Sequence, residues 1–219
     1  MKMEIHSWDV DKDEAIRIQN ELKGKVILRN KFDKIEKIGA VDCFYRDDEA
    51  KGAIVICDYS TLNQIEVKTV TAKVKFPYIP GLFAFREGPV IIELIKKVEN
   101  HPDVLIIEGH GIAHPRRFGI ASHIGVIIEK PTIGCAKKIL YGNYTEPPSF
   151  PCSSTFIKDE EGEIIGHVLR NYQKGLLFIS PGNMVDLKAC LDIILHTLKE
   201  EYPLPYPLYL ADKISKEEI

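Results

Sequence analysis

The segment Val104-Leu-Ile-Ile-Glu-Gly-His-Gly-Ile-Ala-His-Pro-Arg-Arg117 predicts both the class of fold and the position of a site. Its apolar start, bounded by turn residues, is typical of a buried strand. Glu108 places a carboxylate at the tip of that strand, and two glycines, two histidines and two arginines follow. Ligands of α/β proteins bind beyond the carboxyl ends of strands, where carboxylates hold hard cations and arginines hold phosphates. The segment therefore suggests metal-assisted chemistry on a phosphate-containing substrate.

Length and composition predict an ordinary globular protein. The 219 residues, 45% of them hydrophobic and 28% charged, suit one domain spanning residues 1–219. No apolar run reaches the roughly 18 residues that span a membrane, and residues 1–9 have no signal-peptide core. The five cysteines are scattered and contain no C-x-x-C pair, which argues against a disulfide framework and a zinc knuckle. We expect a cytoplasmic monomer without a membrane partner.

The net charge of −3 gives no global basic footprint for nucleic acid. A local basic strip would still suffice for an enzyme that binds nucleic acid transiently. The alternative is ordinary solvated surface charge. The candidates for the strip are Arg116, Arg117, Lys130, Lys137 and Lys138.

Hydrophobic periodicity predicts an α/β fold with a mixed central sheet flanked by helices. Helices are expected over residues 11–28, 89–98, 118–123 and 185–198, the second with Pro89 in its first turn. Strands are expected over residues 38–45, 52–57, 64–70, 104–107, 125–128, 132–135, 153–157, 164–169 and 176–179. The first three strands should form an antiparallel meander. The proline-rich tail carries no predicted element.

Three acidic residues stand out by position. Asp42 lies inside an apolar strand, Glu87 directly precedes a predicted helix, and Glu108 ends the next strand. A buried carboxylate is costly unless it is paired or bound to a cation. Asp42 alone is ambiguous, because it could face solvent or bond to Arg86. If the three meet at one point they could hold Mg²⁺, in the pattern of RNase H-like nucleases.

Histidines and a lysine add candidates for phosphate chemistry. His110 and His114 are four residues apart, but the intervening glycine and the following proline argue against a helical metal pair. His114 is the better candidate for orienting a water, moving a proton or contacting a phosphate, with a simple turn residue as the alternative. His123 is expected to pack or to hydrogen-bond locally. Lys137, at the end of an apolar strand, could neutralise a phosphate or simply be solvated.

Together these residues resemble the endonuclease V family, the deoxyinosine-specific repair nucleases. The resemblance runs in family order from about residue 11 to residue 212. The matching segments are Val41-Asp42, Pro77-Tyr-Ile-Pro-Gly81, Phe85-Arg-Glu87, Gly109-His-Gly-Ile-Ala-His-Pro-Arg-Arg117, Gly119-Ile-Ala-Ser-His-Ile-Gly125, Pro131-Thr-Ile-Gly-Cys-Ala-Lys137 and Ser180-Pro-Gly182.

The resemblance implies an RNase H-like fold and Mg²⁺-dependent hydrolysis of DNA, with Mn²⁺ as a substitute metal. The cut would fall one nucleotide 3′ of a deaminated purine. In that picture Asp42, Glu87 and Glu108 bind the metal, while His114 and Lys137 serve the scissile phosphate.

The resemblance also implies a base-flipping apparatus. Tyr78 would belong to a wedge that fills the gap left by the flipped base, in the loop formed by Pro77, Tyr78, Ile79, Pro80 and Gly81. Flipping costs a few kcal/mol, and less at a mispaired base. A rigid aromatic side chain offsets part of that cost by stacking. Gly81, Gly109 and Gly111 would let the backbone approach the base.

The sequence departs from the family pattern in places. Glu108 stands where the family usually has Asp, and Asn183 follows a Ser-Pro-Gly segment that His often follows in relatives. Asp212 is the candidate for an additional group near the metal. Arg116 and Arg117 either hold DNA phosphate or pin their turn to the acidic surface. Two alternatives therefore stay open, an endoribonuclease for inosine in single-stranded RNA and a non-catalytic module that binds deaminated nucleic acid.

Overall fold

A mixed sheet of nine strands forms the centre of the computed structural model, which describes residues 5–217. Residues 1–4 and 218–219 lie outside the described residues. The expectation that residues 1–9 contain no signal-peptide core therefore falls partly outside them. The strands are β1 Lys37–Arg46, β2 Glu49–Asp58, β3 Gln64–Lys73, β4 Val104–Glu108, β5 Thr132–Ala136, β6 Asn143–Tyr144, β7 Ser154–Lys158, β8 Ile164–Arg170 and β9 Leu176–Asn183.

Five α-helices of the described chain flank the sheet. They are α1 Lys12–Leu22, α2 Phe83–Lys97, α3 Ile120–Ile128, α4 Leu187–Thr197 and α5 Tyr206–Lys216. The sequence explains where two of them begin. The side chain of Asp11 accepts a hydrogen bond from the Glu14 N–H at the start of α1, and Asp186 caps α4 in the same way.

The strand order is β3-β2-β1-β4-β5-β9-β8-β7-β6. β1, β2 and β3 form the predicted antiparallel meander, whereas β1, β4 and β5 pair in parallel. The parallel register sets Val41 opposite Ile107 and Glu108 opposite Cys135. The carboxyl ends of these three strands therefore meet at one edge, where residues that follow each strand are brought together.

Alternating side chains of the central strands divide the core into two layers. Ile38 and Ile106 pack with α4 and α5 on one face of the sheet. Val41 and Ile107 pack with α2 and α3 on the other. Both faces of β1 and β4 are therefore covered by helices, which explains why these strands are nearly continuous apolar runs. Each fully buried side chain of this kind stabilises the fold by roughly 1.5–3 kcal/mol.

The mixed α/β architecture is confirmed, but several predicted elements are wrong. α2 begins at Phe83, so Pro89 lies inside the helix and not in its first turn, and Glu87 is a helical residue that does not precede the helix. Residues 125–128 belong to α3 and do not form a strand. In each case tertiary burial outweighed the local signal, because α2 and α3 bury apolar faces against the sheet.

Other elements have different bounds or were missed. The first helix ends at Leu22 and is followed by a 3-10 turn over Lys23–Lys25, so it does not reach residue 28. The proline-rich tail contains α5, with a proline in its first turn, where the missing N–H costs nothing. No helix among residues 5–217 is long and apolar enough to cross a membrane. That residues 1–219 form a single domain stays a prediction.

The position of Pro89 yields a stability prediction. Pro89 lacks the N–H that would bond to the Phe85 carbonyl, and it is only half-buried, so it contributes limited packing. We expect Pro89→Ala to raise the free energy of unfolding, by up to about 3 kcal/mol. Urea unfolding of both proteins measures the difference.

Pro207 provides the matched control, because it stands in the first turn of α5, where no intrahelical N–H bond is lost. We expect no gain from Pro207→Ala. A gain of equal size in both variants, or a loss in Pro89→Ala, would contradict the explanation.

Candidate active site

Four carboxylates line one cavity of about 460 Å³ at the carboxyl edge of the parallel strands. They come from separate elements: Asp42 from β1, Glu87 from α2, Glu108 from the tip of β4, and Asp212 from α5. The cavity is completed by Cys43, Tyr45, Tyr78, Phe83, Arg86, Lys137 and Lys216. The structure therefore brings together the three acidic residues selected from the sequence, as well as the additional candidate Asp212.

The carboxylates are crowded and poorly solvated. Asp42 is 7% exposed and Glu87 is 2% exposed. Burial, followed by the neighbouring charge of Glu108, raises the pKa of Asp42 to about 8. Burial also raises the pKa of Glu87 and of Glu108. These groups are therefore held as charged species only at a cost that a nearby cation would reduce.

Two lysines supply positive charge to the cavity through Asp212. Lys137 Nζ lies 2.5 Å from Asp212 Oδ1, and Lys216 Nζ lies 2.6 Å from Asp212 Oδ2. Burial alone would raise the pKa of Asp212, but these two hydrogen bonds outweigh it and lower that pKa. The alternative pairing of Asp42 with Arg86 is not the one formed. Arg86 instead donates to the Phe76 carbonyl at 2.9 Å and lies over the Tyr45 ring.

The oxygen donors of this cavity suit a hard divalent cation. Asp42, Glu87 and Glu108 are the residues able to hold it, with Asp212 beside them. Within residues 5–217, however, no three His, Cys, Asp or Glu side chains lie close enough together to form a ready metal site. The carboxylates share a cavity without forming a complete coordination sphere, so their meeting on one ion stays a prediction.

A second cavity of about 430 Å³ adjoins the first, and the two share Glu108, Lys137, Tyr78 and Phe83 as lining residues. Its size falls within the range of small-ligand sites. The remaining lining residues are Gln19, Ile79, Pro80, Gly81, Ala84, Gly109, His110, His114, Gly119, Ile120, Ala136, Lys138, Ile139 and Leu140. The cavity is mostly apolar with few polar groups, which suits a flat, partly apolar ring such as a nucleobase.

The loop Pro77–Gly81 lines the second cavity, and its residue Tyr78 also lines the first. We call this segment the wedge loop. Tyr78 projects from it with 68% of its surface exposed, and its ring lies edge-on to Phe83, 5.9 Å between centroids. Gly81 adopts φ +80°, a conformation that favours glycine. The exposed aromatic side chain is thus carried on a stiff, proline-flanked support.

His114 is buried and fully engaged. Its Nε2 lies 2.9 Å from the Gly81 carbonyl, and its Nδ1 accepts from the Arg116 N–H at 3.1 Å. Burial lowers the pKa of His114 to about 4. In this arrangement the ring contacts the wedge loop, so the structure joins His114 to the loop more directly than to the carboxylates. Its predicted role at the scissile phosphate stays a prediction.

The two arginines after His114 are paired within the protein. Arg116 donates to the Gly81 carbonyl and to Gln19 Oε1. Arg117, at φ 56°, forms an ion pair with the buried Asp159 and another with Glu163. Arg116 therefore pins its turn to the wedge loop and α1, whereas Arg117 pins it to acidic residues. Binding of DNA phosphate by either arginine stays a prediction.

His110 and His123 are both buried and contact other parts of the protein. His110 Nε2 bonds to the Lys138 carbonyl at 3.0 Å, and burial lowers the pKa of His110 to about 4. His123 packs against Phe85 and Phe118, as predicted. Its hydrogen bond is not local in sequence, however, because its partner is His6 at 2.6 Å. The fold brings the amino-terminal segment to α3, which no local pattern indicates.

The glycines after β4 are required by close packing. A Cβ at Gly111 would lie 1.9 Å from the Pro181 carbonyl oxygen, and Gly109 adopts φ +126°. The Gly111 N–H donates to Ser180 Oγ at 2.8 Å. Gly111 therefore holds the segment after β4 against β9, whereas Gly109 packs against Ile120 of α3. Backbone approach to a flipped base by Gly109 and Gly111 stays a prediction.

Two residues of the site were missed in the sequence. Lys216 follows Asp212 by one helical turn, so the ion pair would have been visible had α5 been predicted. Gln19 lines the second cavity from α1, with 1% of its surface exposed. Nothing in the local sequence marks Gln19, because the partners of its amide lie far along the chain.

Comparison with known proteins gives one consistent result. A family model described as Endonuclease V matches residues 20–213. The chain is 43% identical over 205 residues to an Endonuclease V of Dictyoglomus turgidum, which covers 93% of this chain and 89% of the relative.

Solved structures agree with the family match and confirm the RNase H-like fold. The Endonuclease V of Streptomyces avermitilis superposes with a TM-score of 0.88 at 33% identity, covering 96% of this chain and 93% of that chain. The Endonuclease V of Ciona intestinalis, in complex with a 24mer DNA containing an inosine followed by a ribo-adenosine, gives a TM-score of 0.81 at 25% identity, covering 94% and 96%.

The packing of Gly111 yields a second stability prediction. A methyl group at Gly111 would overlap the backbone of Pro181, so the segment after β4 or β9 would have to move. We expect Gly111→Ala to destabilise the fold by at least about 1–3 kcal/mol, the usual cost of overpacking. Thermal unfolding measures the loss.

Gly24→Ala is the matched control, because nothing lies within 4 Å of a Cβ built at Gly24. We expect that variant to unfold at or slightly above the temperature of the unmodified protein. If Gly111→Ala were as stable as Gly24→Ala, the packing reason for Gly111 would be refuted.

Proposed function

Because the chain belongs to the endonuclease V family, an endonuclease family that hydrolyses phosphodiester bonds, we propose that it repairs DNA containing deaminated purines. The bond cut would lie one nucleotide 3′ of deoxyinosine, and the reaction would depend on Mg²⁺. The Endonuclease V of Ciona intestinalis, which binds inosine-containing DNA, supports this choice of substrate.

The observation that carries the proposal is the shared wall between the two cavities. Glu108 and Lys137 line both the carboxylate cavity and the apolar cavity, and Tyr78 stands exposed at their border. A base held in the apolar cavity would therefore place a neighbouring phosphate at the carboxylates. This arrangement links recognition of a flipped base to hydrolysis of a bond close to it.

The metal would be held by oxygen atoms of Asp42, Glu87 and Glu108, which suit Mg²⁺ and accept Mn²⁺ as a substitute. When bound, such an ion supplies charge that activates a water and stabilises the leaving oxygen of a phosphodiester.

The chain's own residues orient the phosphate and keep its charge balanced. Lys137 presents an ammonium group at the wall shared by the two cavities, where it can bind a non-bridging phosphate oxygen. In the free protein Asp212 holds that ammonium group at 2.5 Å, and Lys216 gives Asp212 a second partner. Lys137 can therefore exchange a carboxylate for a phosphate without leaving Asp212 unpaired.

Lesion selection would depend on the wedge loop. Tyr78 would stack in the gap left by a base that has turned into the apolar cavity, a role supported by its exposure and by its position in the lining of that cavity. Inosine pairs less stably than an ordinary purine, so it is extruded at lower cost. We propose that the loop Pro77–Gly81 binds the lesion, together with Gly109 and Gly111 in the segment after β4. A cytoplasmic location and a monomeric state complete the proposal.

Cleavage of inosine-containing DNA tests the proposal. We expect nicking in the presence of Mg²⁺ or Mn²⁺, and none after chelation. Asp42→Asn keeps the shape of the side chain but removes a charged metal ligand, so we expect cleavage to fall more than about 100-fold. Asp47→Asn is the matched control, because Asp47 is exposed in the turn after the same strand, and we expect it to cut normally.

The same assay separates the alternatives. Preferential cutting of inosine in single-stranded RNA would replace DNA by RNA as the substrate, and the ribo-adenosine after the inosine in the Ciona intestinalis complex makes this comparison worthwhile. Binding of inosine without any cutting would identify a non-catalytic module, and Glu108→Asp would then be expected to restore cleavage. An Asp42→Asn protein of full activity would refute the metal assignment.

Removing the aromatic ring of the wedge loop should weaken lesion selection. Base–aromatic stacking contributes about 1–3 kcal/mol, so we expect Tyr78→Ala to lower the preference for inosine over undamaged DNA by roughly tenfold to hundredfold. Tyr78→Phe keeps the ring and should retain most of the preference. Phe150→Ala is the control, since Phe150 is a comparably exposed aromatic residue outside the loop. Equal selectivity of Tyr78→Ala and the unmodified enzyme would contradict the wedge role.

A further inference from the structure

We infer that Gln19 is a positioning residue for lesion recognition, because it fixes the wedge loop through the carbonyl oxygen of Gly81. This inference rests on the proposed function of the loop, and it adds to that function a buried residue from α1. Gln19 acts together with His114 and Arg116. We call these three side chains the Gly81 clamp.

Three side-chain donors converge on one carbonyl oxygen. Gln19 Nε2 lies 3.0 Å from Gly81 O, His114 Nε2 lies 2.9 Å from it, and Arg116 Nη2 lies 2.8 Å from it. A carbonyl oxygen has two lone pairs, so three donors exceed its ordinary complement. The wedge loop is therefore tied at this point to α1 and to the turn after β4 at once.

Gln19 is the member that joins the others. Its Oε1 accepts from Arg116 Nε at 2.6 Å, while its Nε2 donates to Gly81 O and, at 3.1 Å, to Phe118 O. Arg116 can only donate and the two carbonyls can only accept, so the orientation of the amide is determined. Each hydrogen bond of the Gln19 amide connects α1 either to the wedge loop or to the segment after β4.

The location of Gln19 argues for a role beyond packing. It is 1% exposed on the face of α1 that also carries Ala15, Ile18 and Leu22, all of them in an apolar cluster. An apolar residue would satisfy that face without the cost of burying an amide. What the amide adds is a fixed position for the Gly81 carbonyl.

His114 contributes a neutral donor. Its Nδ1 accepts from the Arg116 N–H, so the ring proton resides on Nε2 and points to Gly81 O. Burial favours this neutral form, since it lowers the pKa of His114 to about 4. Arg116 is thus bonded to His114 through its backbone and to Gln19 through its side chain, which closes the network.

Two further hydrogen bonds fix the loop, one before Pro77 and one across Gly81. Arg86 Nη1 donates to Phe76 O at 2.9 Å, directly before the wedge loop, and the Leu82 N–H donates to Ile79 O at 2.9 Å. Between these points Tyr78 stays exposed. A loop held in this way does not lose the roughly 1–2 kcal/mol per residue that ordering a mobile backbone costs when DNA binds. The clamp therefore favours insertion of Tyr78 at the lesion.

Hydrogen exchange of the free protein tests the clamp itself. Gln19→Met keeps the length of the side chain and removes its three hydrogen bonds. We therefore expect amide exchange at the non-proline residues 78, 79, 81 and 82 to accelerate about three- to tenfold, the effect of losing a net hydrogen bond. Arg116→Met removes a donor from a more exposed side chain and serves as the second variant if Gln19→Met folds poorly. Asn171→Leu is the control, because its buried amide bonds to Gly175 and Pro203.

Cleavage kinetics test the consequence for recognition. We expect Gln19→Met to lower the ratio of kcat/KM for inosine DNA over undamaged DNA about three- to tenfold, mainly through a higher KM for the lesion. Asn171→Leu should leave that ratio unchanged even if it unfolds at a lower temperature. A general loss of stability would lower both rates together and would not move the ratio.

The outcomes separate the two proposals. Unchanged exchange at residues 78, 79, 81 and 82 overturns the clamp, and accelerated exchange with an unchanged ratio overturns its role in recognition. A fall in the ratio that Asn171→Leu reproduces also overturns that role. If the unmodified enzyme cuts no inosine substrate, the proposed function fails and takes the role in recognition with it, while the exchange measurement still decides whether Gln19 fixes the loop.

Discussion

Burial of several carboxylates in one cavity, made costlier by their mutual repulsion, is the constraint on which this structure depends. Asp42, Glu87 and Glu108 come from three elements and share one poorly solvated cavity with Asp212. Such a cluster is unfavourable by itself, because burial and like charge both oppose ionisation. The helices on both faces of the sheet supply the apolar burial that offsets this cost. The family to which the chain belongs hydrolyses phosphodiesters, and the proposed role of the cluster in that reaction would account for so unfavourable an arrangement.

The helix α5 supplies Asp212, which pairs with two lysines beside the carboxylate cluster. Asp212 lies between Lys137 and Lys216 and bonds to both. The paired lysines offset part of the negative charge in the free protein while staying at the rim, where a phosphate would arrive. The groups that balance charge in the free state are thus the ones to which we assign phosphate binding. Glu108 has a longer side chain than an Asp would have at this position, so its carboxylate reaches further. The residue is still presented by the tip of β4.

The proposed recognition of the lesion and the proposed hydrolysis of the phosphodiester would both depend on β4 and the segment that follows it. β4 presents Glu108 at its tip to both cavities, and the segment that follows carries His114 to the wedge loop, six residues further along the chain. Gly111 packs that segment against the backbone of β9, and the Gly81 clamp fixes the loop to it. Because one short segment supports both parts, a displacement of the loop is also a displacement relative to the carboxylates. Under the proposed function, this coupling would confine cutting to positions where a base has been extruded.

The sequence by itself determined the class of fold, the meander of the first three strands, and the candidates Asp42, Glu87, Glu108 and Lys137, because apolar runs, turn residues and a carboxylate at a strand tip are local signals. The tertiary structure alone decided that Glu87 lies within α2, that Asp212 reaches Lys137 from a helix in the proline-rich tail, and that Gln19 meets Gly81 across 62 residues. Local periodicity cannot reveal such contacts, since they depend on which surfaces bury each other. The sequence therefore names the candidate groups, and packing decides which residues hold them in place.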